Sequence, residues 1–154
     1  MLNEQEWQQE HCEFLSESET LLLRSEECLA HLELIADDRD AIDCLLASLR
    51  NLTVKADVAC VERIAAFTRQ LHDLLDAACP RVALQGDPLH TLKSCITLLA
   101  WQIEFIDRRS GQMPLDDSEQ RELLERLAFQ CGLDSPQAWA SQSQSDSLTC
   151  QPHA

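Results

Sequence analysis

The sequence predicts an all-α protein: an antiparallel four-helix bundle with one additional C-terminal helix and a flexible tail. Three observations point there. Among 154 residues there are three Gly, five Pro and no Tyr, which leaves little material for tight hairpins, while the helix formers Leu, Ala, Glu and Gln abound. Apolar residues recur at steps of three and four along five separate stretches, as core-facing helical stripes do. The links between those stretches are short, and amphipathic helices joined by short links pack most simply side by side in antiparallel order.

The first stretch runs from about Glu4 to Ala36, with Leu15, Leu22, Leu29, Leu32 and Ile35 inward and a break expected near Ser16 to Ser18. Asp37-Asp38-Arg39-Asp40 forms a polar junction. Beyond it Ile42, Leu45, Leu46, Leu49 and Leu52 make a second stripe that ends near Lys55 to Asp57. A third helix is expected over Val58 to Ala78, with Val61, Ile64, Thr68, Leu71 and Leu75 inward, stopped by Cys79-Pro80.

Residues 81–87 are a connection. Asp87-Pro88 supplies a side-chain cap and a proline suited to a first helical turn. The fourth stripe, Leu89, Leu92, Ile96, Leu99, Ile103 and Ile106, is the most regular and must pack along its whole length; Arg108-Arg109-Ser110-Gly111 reads as its end. A fifth helix spans about Asp117 to Gln130, with Leu123, Leu124, Leu127 and Cys131 inward and Gly132 closing it. Residues 1–133 thus form a single domain. Residues 134–154 hold a short helical turn around Trp139 and then a Ser- and Gln-rich tail, too poor in apolar surface to offset the entropy of ordering.

The formal net charge of −15 argues against nucleic acid or an anionic membrane as partner, since both are held through clustered Lys and Arg. A protein with a basic surface suits it better. No stretch reaches the roughly 18 apolar residues of a membrane span, and the first residues carry no export signal, so a cytoplasmic location is expected.

Eight cysteines in a reducing compartment read as free thiols. Cys12, Cys28, Cys44 and Cys60 are spaced by 16 residues, a step that turns each by roughly 160° from the last, so they cannot line one helix face. No metal site and no cofactor are expected: CxxC, Glu-x-x-His, Gly-rich phosphate loops and nucleophile elbows are missing from the sequence. His11, His31, His72 and His153 read as surface or boundary residues.

The only two lysines sit in Leu52-Thr53-Val54-Lys55 and His90-Thr91-Leu92-Lys93. From about Phe14 to Leu75 the chain resembles the histidine-containing phosphotransfer domain, in particular the first domain of chemotaxis-type histidine kinases. An acidic leading helix is followed by a helix ending in Thr53-Val54-Lys55 and then by Ile64-Ala65-Ala66-Phe67-Thr68-Arg69-Gln70-Leu71-His72-Asp73-Leu74-Leu75-Asp76, which is similar to the family's third helix. Setting Lys55 on the family lysine puts Leu52 where the phosphorylated histidine belongs; setting Arg50 on the family's upstream arginine puts Thr53 there. Neither side chain can become a phosphoimidazole. Ala56 stands where the family usually has glycine, and His72 where it often has the glutamate that orients the histidine.

A second register starts from His90-Thr91-Leu92-Lys93-Ser94, whose letters resemble the family's acceptor motif more closely, and continues through Phe105-Ile106-Asp107 to Leu127. The family separates its histidine from that aspartate by about two helices and a turn, whereas here one unbroken stripe joins them. His90 lies about 150° around the wheel from the mean of Leu92, Ile96 and Leu99, hence exposed, with Lys93 one turn on to offset phosphoryl charge. It also lies in a first helical turn, where the dipole favours an anion.

The resemblance implies a signalling protein of a two-component or chemotaxis-like pathway, not itself an enzyme, that lacks the standard acceptor and acts by binding a response-regulator receiver or a histidine kinase. The metal ion of any phosphoryl transfer would belong to the partner. Two alternatives stand beside it: an active phosphoryl carrier using His90 and Lys93, and an acidic helical adaptor or oligomer that buries its first and fourth stripes between chains.

Overall fold

The computed structural model of the protein describes residues 4–80, 82–106 and 116–133, with side chains from His11 onward. Within them the chain forms α1 (Glu4–Leu34), α2 (Arg39–Val58), α3 (Glu62–Ala78), α4 (Asp87–Glu104) and α5 (Ser118–Gln130), and the described residues contain no strand. The expected turn around Trp139 and the tail lie outside them.

Side-chain pairs give the directions of the helices. Glu17 meets Lys55 at one end of α1 and α2, and Cys28 meets Cys44 further along, so these two run antiparallel. Asp57 meets Arg69 where α2 turns into α3, while Cys79 lies near Arg39 and Asp43 at their far end. Glu33 on α1 pairs with Lys93 on α4. Gln102 and Gln120 face one another at one end of α4 and α5, and Cys95 and Arg126 lie close at the other. Thus α1, α3 and α5 point one way and α2 and α4 the other. The fifth helix packs on both α4 and α3.

The core follows the stripes. In α3, Ile64, Phe67, Leu71, Leu74, Leu75 and Ala78 are all fully buried, because α2, α4 and α5 cover this helix from several sides. Every member of the α4 stripe from Leu89 to Ile106 is buried. In α1 the stripe is buried at Leu22, Leu29 and Leu32, while Leu15 is only partly covered.

Several boundaries differ from the sequence expectation. No break interrupts α1 near Ser16 to Ser18; Ser18 and Ser25 sit on its buried face, and Ser25 donates to the Leu21 carbonyl at 2.9 Å, so a small polar residue is absorbed without ending the helix. Ile35 lies past the end of α1 and is 56% exposed. Helix α3 begins at Glu62, not Val58, which is the last residue of α2.

The turn between α2 and α3 is a Schellman motif: the Cys60 amide donates to Asp57 O, the Val61 amide to Ala56 O, and Cys60 takes φ 61°. That place usually carries glycine, so the stop is invisible in the letters. At Gly132 the same pattern closes α5 with φ 75° and amides from Gly132 to Phe129 O and Leu133 to Ala128 O. Asp87 does not cap α4; it is the first helical residue, Gly86 is the cap with φ 65°, and no side chain bonds the free amides. Helix α4 ends at Glu104, ahead of the expected Arg108 to Gly111, which fall outside the described residues. In the connection before α4, Leu84 is fully buried, a plug that no periodicity announces.

Candidate functional site

The two lysine-centred motifs lie in different surroundings. Leu52 is 1% exposed and Thr53 is 9% exposed, so both residues that the resemblance aligns with a phosphohistidine are turned into the bundle. The Thr53 hydroxyl lies 2.7 Å from that of Thr68 on α3. Each is also within bonding distance of a carbonyl of its own helix, Leu49 O for Thr53 and Ile64 O for Thr68, both at 2.9 Å. One hydroxyl donates to the other, and the accepting hydroxyl in turn donates a hydrogen bond to the carbonyl of its own helix. Lys55 reaches outward to Glu17 at 3.1 Å.

His72 is largely covered, with Nδ1 3.1 Å from the Asp73 carboxylate and Nε2 buried without a hydrogen-bond partner. Thr68 is the α3 residue that meets Thr53, and His72 lies about one turn further along α3 as that helix runs back beside α2.

His90 lies in the first turn of α4, exposed, its amide bonded to Gly86 O at 3.0 Å. It stands between two surface concavities. One, of about 430 Å³, is formed by the end of α1 and the connection before α4, with Glu33, Gln85 and Lys93 on its wall. The other, of about 580 Å³, runs between α4 and α5 past Lys93, Trp101, Glu119 and Arg126. His90, Lys93 and Arg126 thus gather three nitrogen-bearing side chains at one end of an acidic molecule. Both cations have carboxylate partners, Glu33 for Lys93 and Glu122 for Arg126 at 3.2 Å. Such half-exposed pairs contribute little and exchange readily for a better anion. Trp101 is 58% exposed, its ring centroid 6.2 Å from that of Phe105.

Sequence reasoning did not include Arg126, Glu33 or Trp101 in this group. Arg126 reaches it only because α5 folds back along α4, and no local signal in the letters reports that contact. The cysteines show the same limit. Residues 16 apart do not share a helix face, yet the α1–α2 hairpin brings Cys28 against Cys44. Burial, followed by that neighbour, pushes the Cys28 thiol up to about 12; burial likewise pushes Cys95 up to about 12 and Cys79 to about 11. Among the described residues no group of three or more His, Cys, Asp or Glu is placed to hold a metal ion, and no helix is long and apolar enough to cross a membrane.

The chain matches no family model, no curated protein and no solved structure.

Proposed function

We propose that this protein is a signalling module built on a phosphotransfer-type helical bundle, that it works without the family's acceptor, and that it acts by binding a protein partner of the receiver or histidine-kinase class. One observation carries the reading: Leu52 and Thr53 are held in the core, so the column where such a domain exposes its imidazole is closed in this chain by both residue type and orientation. The antiparallel order of α1 to α4 supports the same plan. The exposed ends of α4 and α5, with Trp101 and Arg126, offer residue types that anchor protein interfaces.

Calorimetric titration with a receiver domain, unphosphorylated and phosphorylated, tests it. Binding is expected, and no phosphoryl group is expected on the chain after incubation with the phosphorylated receiver.

A second reading is favoured by the exposure of His90 beside Lys93 and Arg126: an active carrier that takes the phosphoryl group on the imidazole. Acid-labile label on the chain, lost in His90→Gln and retained in His72→Gln, would replace the first reading by this one.

A further inference from the structure

A groove between α1 and α4 lies at the other end of α4 from His90. Its volume is about 280 Å³. Leu15, Leu22 and Ile103 form its floor, and Leu23, 57% exposed, stands at its edge. Along α1 it runs from Leu15 to Glu26, about 16 Å or roughly three turns at the rise of an α-helix.

The rim is acidic. Glu19 and Glu26 on α1 and Glu104 on α4 line it, all exposed, and no cation among the described residues pairs with any of them. Elsewhere on the described surface Lys55, Lys93, Arg69, Arg121 and Arg126 each have a carboxylate partner. An apolar floor with a rim of unpaired like charges favours an occupant that brings apolar side chains on one face and cations on its flanks.

We propose that this groove docks a basic amphipathic helix of a partner protein, its apolar i, i+3, i+4, i+7 side chains against Leu15, Leu22 and Ile103 and its Lys or Arg side chains against Glu19, Glu26 and Glu104. Charge complementarity selects this occupant. A second copy carries the same −15 charge, residues 134–154 contain no Lys or Arg, and Arg108 and Arg109, the cations of this chain just after Glu104, are distinguished from a partner by the crosslink at Leu23. The inference rests on the protein-binding part of the proposed function and on no phosphoryl chemistry.

The probe is a labelled synthetic peptide of about 18 residues in which leucines at helical spacing alternate with lysines, titrated with the full chain and read by anisotropy. Glu19→Gln/Glu26→Gln/Glu104→Gln is expected to weaken binding about tenfold or more. The control Asp43→Asn/Asp76→Asn/Glu125→Gln removes the same charge elsewhere and is expected to leave binding within about twofold. Equal loss in both variants, or no binding to the unaltered chain, overturns the proposal. A photo-crosslinker in place of Leu23 reports the occupant: capture of the peptide supports the groove, whereas a crosslink to residues 107–115, to residues 134–154 or to a second copy overturns it. Receiver binding without peptide binding removes the groove alone; peptide binding without receiver binding removes the phosphorelay reading alone.

Discussion

Leu52 and Lys55 are three residues apart on α2, yet the first is 1% exposed and the second keeps 46% of its side chain in solvent. The edge of the buried face runs between them, so a histidine placed at 52 would be buried and would not form a phosphotransfer site. Leu52→His is expected to lower stability by about 2–4 kcal/mol, through lost apolar packing and a buried imidazole, seen as a lower urea midpoint with no gain of phosphoryl label. The adjacent Thr53–Thr68 pair is a buried polar tie between α2 and α3. Thr68→Val removes the hydroxyl–hydroxyl bond while the Thr53 hydroxyl still donates to the Leu49 carbonyl, and should cost about 0.5–1.5 kcal/mol. The double variant Thr53→Val/Thr68→Val should cost less than the sum of the two singles, because each single already loses the one hydroxyl–hydroxyl bond they share.

Helix ends decide how α2 is placed. Asp38 caps it, its carboxylate accepting from the Ala41 amide at 3.3 Å, and Asp38→Ala is expected to cost about 1 kcal/mol by thermal unfolding. At the other end Cys60 holds a left-handed conformation at φ 61°, which an L side chain adopts at a cost of about 1–2 kcal/mol. Cys60→Gly relieves that strain but loosens the unfolded chain, and the net expectation is a gain of about 0.5–1 kcal/mol. Failure of the unfolding midpoint to rise would show that Cys60 makes a compensating contact.

The elements were largely legible from periodicity. Stripes from Ile64 to Leu75 and from Leu89 to Ile106 are buried as read, since burial on one side of a helix forces apolar residues to recur every three or four places. Terminations were less so. Gly132 announces its own turn, whereas Cys60 performs the same task without a telling letter, and the start of α3 was therefore misplaced by four residues (Val58 against Glu62).

For the molecule as a whole, the buried thiols set a pH limit. Their pKa values are raised in the folded state above an ordinary 9.0, to about 12 for Cys28 and Cys95 and about 11 for Cys79, because burial disfavours the thiolate. The folded chain then binds more protons than the unfolded one above pH 9, so the thiol contribution is full below that pH and is lost as pH rises toward 11 to 12. Chemical denaturation is expected to show falling stability across this window, and Cys95→Ala to flatten part of the fall. In a labelling experiment near pH 8, among the cysteines of the described residues exposed Cys12 and Cys60 should react first, with buried Cys28, Cys95 and Cys131 following only on unfolding.

The sequence by itself determined the all-α class, the helical stripes and the acidity, because those depend on residue type and on a period the chain carries locally. It also put His90 outside and Leu52 inside, since a wheel position follows from neighbours a turn away. Only the tertiary structure decided which helices touch. It set Arg126 beside His90, Cys28 against Cys44 and Glu104 across from Glu19 and Glu26. Such meetings depend on the pairing and direction of helices far apart in the chain, which close packing of the core selects and no single stretch encodes.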